Sequence, residues 1–125
     1  MKPFLHAKAS VKRYGGVPED YIEVHEFLDE SKAHHADMRH RALLHNSFGC
    51  YLAARLFGDK NGNITISTGK QVSVRDLCEE HIIEDMGRIP AVTEYFQGMP
   101  FYDWLGGPKR KVTRYAMKTG ANIED

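Results

Sequence analysis

Val74, Leu77, Cys78, Ile82 and Met86 recur at helical spacing, and His81 and Asp85 fall inside the same stripe. At about 100° per residue, His81 lies roughly 20° to one side of Val74 and Asp85 roughly 20° to the other. A helix here cannot bury its apolar face without also burying an imidazole and a carboxylate. Their four-residue spacing lets the two side chains meet each other or grip one ion. Ser73 is placed to cap the helix, with Asp76 three residues later, and Gly87 is placed to end it. Glu84 falls on the flank.

A second stretch repeats the pattern. Residues 31–57 read as one long helix, opened by Ser31 and stopped by Gly58, with Met38, Ala42, Leu52 and Leu56 as its stripe. His45 and Gly49 fall within about 20° of Met38 on that wheel, and Arg41 sits at the edge. A glycine inside a helix costs up to ~1 kcal/mol, a cost offset where a backbone or a ligand must come close. Antiparallel packing of the two helices would bring His45 to His81 and Asp85. Two imidazoles and a carboxylate suit a divalent ion such as Zn²⁺, Mn²⁺ or Fe²⁺. The fourth ligand would come from His25, His34, Asp37, Glu84 or water. The alternative is a hydrogen-bonded core pair in which the carboxylate fixes the imidazole tautomer. His40 lies opposite His45 and is expected at the surface or against a partner, and His35 is expected in solvent.

The remainder organises around these helices. Residues 1–17 read as an irregular or extended arm ending at Gly15-Gly16. Pro18-Glu19-Asp20 opens a helix to about Glu30, with Tyr21, Ile22, His25 and Leu28 on its apolar side. Asp59 to Asn63 is a turn signal, and Ile64–Ser67, Thr68-Gly69 and Lys70–Val72 read as a short β-hairpin. Pro90 starts a fourth short helix with Val92, Tyr95 and Phe96, and the cluster Phe101 to Leu105 is expected to pack over the bundle. The expected fold is mainly α: a bundle of about four helices with one hairpin between the second and third. Residues 1–108 form the expected domain and 109–125 a basic polar tail.

Charge narrows the partners. The chain has 125 residues, with Lys+Arg and Asp+Glu balanced at 17 each. A neutral total argues against bulk attraction to nucleic acid or a membrane surface. The tail Lys109-Arg110-Lys111 with Arg114 has only Tyr115 beside it to stack on bases, so nucleic acid is not an expected partner. No segment approaches the ~18 apolar residues of a membrane span. Cys50 and Cys78 sit in apolar helical patterns and read as reduced structural thiols of a cytoplasmic protein.

Two resemblances add to this. Leu5-His6, Gly15 to Tyr21, Ala36 to Ala42 with His45, Val72 to Asp76 and His81 to Pro90 together resemble a family of small bacterial and phage proteins of unknown function, which implies a bacterial host cell. His45-Asn46-Ser47-Phe48 with Cys50 to Ala53, and His81 with Glu84, Gly87, Ile89 and Pro90, are similar to motifs of the HD-domain metal-dependent phosphohydrolases. There an adjacent His-Asp pair binds a divalent metal and a nearby glutamate helps to activate water. Here Ile82 follows His81, so Asp85 would supply the carboxylate one turn later.

Three functions follow as expectations. The first is a metal-dependent phosphohydrolase acting on a nucleotide or other phosphoester. The metal would sit on His45, His81 and Asp85, Glu84 would carry the proton, and Arg41 or Arg88 would hold the phosphate. The second is a non-catalytic module that sequesters a ligand or engages a host protein, its pocket closed by Phe101, Tyr102 and Trp104. The third is a structural protein, a homodimer through its aromatics, whose His–Asp pair specifies the core.

Overall fold

Proline at the first turn, Lys12-Arg13 in the last and Gly15 beyond the end are the punctuation of a helix. In the computed structural model, which describes residues 1–106, α1 runs Pro3–Tyr14. The segment expected as an arm is therefore helical. Its buried face is His6, Ala7 and Ser10, a helical spacing hidden from an apolar-pattern reading because two of the three are polar.

After a 3-10 turn at Pro18–Asp20, α2 spans Ile22–Asp29 and buries Val24, His25 and Leu28. Asp20 joins this region to the hairpin: its carboxylate accepts from Val17 N at 2.9 Å, Ser67 N at 3.0 Å and Ser67 Oγ at 2.8 Å.

The long helix expected over residues 31–57 is broken. It resolves into 3-10 turns at Glu30–Ala33 and Met38–His40, a single turn α3 at Arg41–Leu44, and α4 at Ser47–Phe57. The break falls at His45, whose ψ of 63° leaves the helical region, and at Asn46, which is extended. Asn46 caps α4 by accepting from Gly49 N at 2.8 Å, and its amide donates back to Ala42 O at 2.8 Å. The interruption resets the helical phase. The buried face of α4 is Gly49, Cys50 and Ala53, while Met38 and Leu56, expected in the stripe, are exposed.

Asp59 Oδ1 accepts from Asn61 N and Asn63 N and turns the chain into β1 (Asn63–Thr65). β1 pairs antiparallel with β2 (Gln71–Ser73), Ile64 opposite Val72. Helix α5, Val74–Met86, follows directly. Ser73 Oγ accepts from Asp76 N at 3.2 Å, and Gly87 ends the helix in the left-handed region at φ 79°. Its buried residues are Val74, Leu77, Cys78, His81 and Ile82, as the stripe predicts.

The molecule is mainly helical with one two-stranded sheet. The core gathers Tyr21, Val24 and Leu28 of the α2 region, Cys50 and Ala53 of α4, Ile66 and Val72 of the hairpin, and Leu77, Cys78 and Ile82 of α5. Cys50 and Cys78 are free, buried and neighbouring, and the hydrogen bond to Cys50, reinforced by burial, pushes the Cys78 thiol well above its ordinary pKa. Among the described residues no helix is long and apolar enough to cross a membrane.

Residues 1–95 form one compact unit and Phe96 begins a second. Helix α6, Val92–Phe96, has no buried residue. Tyr102 and Trp104 stack at 5.0 Å beside a 3-10 turn at Asp103–Leu105. Phe101 is 80% exposed and Trp104 66%. The basic tail expected from Lys109 lies outside the described residues.

Candidate metal centre

Five histidines are buried: His6, His25, His40, His45 and His81. Four of them, His6, His25, His45 and His81, converge from α1, α2, the α3–α4 kink and α5. His45 Nε2 lies 2.9 Å from Asp85 Oδ2. His81 Nε2 lies 3.3 Å from the same oxygen and 3.3 Å from Asp29 Oδ1. Asp29 Oδ1 is also 3.5 Å from His45 Nε2. Asp29, His45, His81 and Asp85 each turn one ligand atom to a common point, all within 4.8 Å of one another. The donor set, two imidazoles and two carboxylates, is one that Zn²⁺ and the harder first-row divalent ions accept.

The structure brings together His45, His81 and Asp85, the three residues singled out from the sequence. It does so by a different route. His45 is not on a continuous helix; it occupies the kink between α3 and α4, where the extended backbone of Asn46 turns the chain. Gly49 does not open space for a ligand. A Cβ there would stand 1.8 Å from the carbonyl oxygen of Leu44, so the glycine admits the backbone of the preceding turn.

Asp29 was not among the expected ligands. It is the last residue of α2, and only tertiary packing carries it to α5. The expected fourth ligands lie elsewhere. His34 and His35 are exposed. Asp37 caps the turn at Met38–His40 by accepting from Arg39 N at 2.8 Å. His25 stands behind His81, Nδ1 to Nδ1 at 2.9 Å. Glu84 is engaged on both oxygens, by His6 Nδ1 at 2.5 Å and by Arg13 at 2.8 Å. His40, expected at the surface, is buried and bonded to Ser31 Oγ at 2.8 Å. Arg41 forms no ion pair with the quartet among the described residues, and its buried Nε has no hydrogen-bond partner. Arg88 pairs with Glu94 at 2.6 Å.

Helix α1 closes the other side. His6 stacks on His81 with ring centroids 3.6 Å apart, and its Nε2 lies 3.1 Å from Asp85 Oδ1. The Met1 nitrogen reaches the same oxygen at 3.0 Å. Arg13 bonds Glu84, and the Tyr14 hydroxyl donates to Glu80 at 2.8 Å. Glu80 and Glu84 thus hold α1 against α5 while His81 and Asp85, one residue further along, face the centre.

The electrostatics favour a cation. Burial works against ionising Asp85, but hydrogen bonds from the Met1 nitrogen and His45, with His6 and His81 nearby, hold it at about 2. Burial likewise opposes ionisation of Asp29, and the hydrogen bond and charge of His81 with that of His45 bring it below the usual carboxylate range. Burial lowers His45 to about 4 against the pull of Asp85. Two ionised carboxylates therefore face a neutral His45 at neutral pH, an arrangement a divalent ion satisfies.

A domain of unknown function, DUF6915, matches residues 1–105. The chain belongs to the DUF6915 family. The match spans α1 through the turn at Leu105, so this DUF6915 chain carries all four residues of the quartet within its family region. No curated protein and no solved structure matches it.

Proposed function

We propose that this protein holds one divalent metal ion on Asp29, His45, His81 and Asp85 and uses it to hydrolyse a phosphoester or nucleotide. The observation that carries the reading is the convergence of four ligand atoms from α2, α5 and the α3–α4 kink. When bound, a divalent ion supplies Lewis-acid polarisation of a phosphoryl oxygen and acidifies water at neutral pH. The chain provides the rest. His45 and His81 present nitrogen atoms, and Asp29 and Asp85 neutralise charge. Asp29 also borders an open cavity of about 650 Å³ lined by Met1, Lys2, Pro3, Glu26, Glu30 and Lys32. That cavity supports entry of a small substrate from the Asp29 side, with Lys2 and Lys32 available to an anionic group. The local likeness to HD-domain phosphohydrolases at His45 and His81 supports the same reaction class.

The engagement of Glu84 by His6 and Arg13 favours a second reading, a metal-holding module without turnover, because the expected proton carrier is occupied. Elemental analysis of protein purified without a histidine tag, followed by a screen of phosphomonoesters, phosphodiesters and nucleotides, separates the two. One equivalent of Zn, Mn or Fe, lost in His81→Ala, with turnover is the expected result. Metal without turnover selects the module; no metal in protein offered each ion rejects both.

A further inference from the structure

Behind the quartet, three buried side chains from three helices form a hydrogen-bond chain. His81 Nδ1 lies 2.9 Å from His25 Nδ1, and His25 Nε2 lies 2.8 Å from Ser10 Oγ. Ser10 Oγ also lies 3.1 Å from the carbonyl oxygen of His6. All three residues are at most 1% exposed, so no bulk water completes their bonding.

Proton counting restricts this chain. Between two ring nitrogens in hydrogen-bond contact there is place for one proton: two N–H groups would collide and two lone pairs would repel. Ser10 has a single hydroxyl proton, which goes either to His25 or to the His6 carbonyl. With each residue neutral, two complete states remain. In the inward state Ser10 donates to His25 Nε2, His25 Nδ1–H donates to His81 Nδ1, and His81 Nε2–H points at Asp29 and Asp85. In the outward state His81 Nδ1–H donates to His25 Nδ1, His25 Nε2–H donates to Ser10 Oγ, and Ser10 donates to His6 O. Each state holds one proton per residue, and passing from inward to outward the His81 Nε2 proton leaves at the carboxylate end while one proton is taken up at the Ser10 end, so the count in the chain is unchanged.

Only the outward state leaves His81 Nε2 bare. A bare nitrogen 3.3 Å from two carboxylate oxygens is repelled unless a cation lies among them, and metal-ligating histidines need this kind of partner on the other nitrogen. We propose, resting on the metal reading above, that Ser10 and His25 are positioning residues whose hydrogen-bond chain reverses direction with metal occupancy. Without metal it runs inward and His81 donates to the carboxylates. With metal it runs outward and His81 is held as a ligand, its ring oriented by His25 and stacked on His6.

The second histidine group, His6, His25 and His81, fits this role better than a second metal site. Both nitrogens of His6 are already engaged, Nδ1 by Glu84 and Nε2 by Asp85, and its ring stacks on His81 with centroids 3.6 Å apart, so it does not point a free lone pair at the His25–His81 contact.

The test is long-range ¹H–¹⁵N correlation of histidine rings in the full chain, tag-free, with and without Zn²⁺ at neutral pH. Zinc is expected to move the ring proton of His25 from Nδ1 to Nε2 and that of His81 from Nε2 to Nδ1. His25→Leu is expected to weaken zinc binding by about 10–100-fold, and His25→Asn, which keeps an acceptor beside His81 Nδ1, to restore part of it. A His25 tautomer that is the same with and without zinc overturns the inference, as does a folded His25→Leu that binds zinc as tightly as the native chain. Should His25→Leu fail to fold by circular dichroism, the tautomer comparison in the native chain decides alone. Zinc uptake with an unchanged His25 tautomer overturns only the relay; failure to take up zinc, manganese or iron overturns the metal reading and the relay together.

Discussion

Asp29 and Asp85 meet His45 and His81 from different elements, so each side chain contributes to the site only when the others are in place. Removing one ligand leaves a buried carboxylate or imidazole facing groups arranged for a cation. Asp29→Asn and His81→Ala are each expected to weaken zinc binding by more than the roughly 10–100-fold typical of outer-sphere changes. His34→Ala, at an exposed position, is expected to leave it unchanged; isothermal titration calorimetry reads all three. Gly49 makes a different residue-scale prediction. Because a Cβ would stand 1.8 Å from the Leu44 carbonyl oxygen, Gly49→Ala must push α4 away from the preceding turn. A loss of about 1–3 kcal/mol is expected in urea unfolding. An unchanged midpoint would show that the α3–α4 junction relaxes freely.

At the scale of elements, α1 and α5 are the helices on which the centre depends. α1 presents His6, Ser10, Arg13 and Tyr14 to α2 and α5. Lys8 is exposed on α1 and its ammonium lies over the Phe4 ring at 5.8 Å, so Lys8→Pro removes only that surface contact yet breaks the helix. An extended arm would tolerate that proline, whereas a helix interior loses about 3 kcal/mol or more. The midpoint of thermal unfolding is expected to fall accordingly. Ser73 caps α5 through Asp76 N, and Ser73→Ala is expected to cost about 1 kcal/mol in the same assay.

For the whole molecule, buried histidines make stability depend on pH. His25 is lowered to about 3 by burial and by His81 and His6, His45 to about 4 by burial, and His40 in the same direction by burial. A histidine near pKa 6.5 in the unfolded chain binds its proton there before it does so in the fold. These groups therefore contribute fully above about pH 6.5, and their contribution is lost as pH falls toward 4. Asp85, lowered to about 2, adds a further loss below about pH 4. The chelator-treated protein is expected to show a thermal midpoint that is flat above neutrality and declines through both windows. A midpoint that rises on acidification from pH 7 to 5 would contradict the burial of neutral imidazoles. Metal binding acts at the same scale: free zinc at about 100 times its dissociation constant is expected to stabilise the fold by about 2.7 kcal/mol.

The stripe on α5 was legible residue by residue. Its cap, its end and the inward direction of His81 and Asp85 follow from a period of 3.6 and from the chemistry of Ser73 and Gly87, which are local properties of the chain. A small two-stranded antiparallel sheet was legible for the same reason, through Gly69 and the β-branched residues around it. Residues 31–57 were not, because a helical wheel assumes unbroken phase. The cap at Asn46, which ends one helix and starts another, competes with that phase on equal terms in the sequence. α1 is hidden from hydropathy because its buried face is built from His6 and Ser10, which hydropathy counts as outward residues; Pro3, Lys12-Arg13 and Gly15 are the signals that mark it. Asp29 and the Ser10–His25–His81 chain were beyond reach of any local pattern. Their partners lie 15 to 56 residues away along the chain, and an aspartate at a helix end or a serine in a first helix looks the same whether it faces water or a metal. From local pattern alone it follows that an imidazole and a carboxylate are buried together, because helical periodicity leaves them no other face. Which groups meet them there was decided by tertiary packing, because desolvated polar side chains are stable only where several elements supply partners at once.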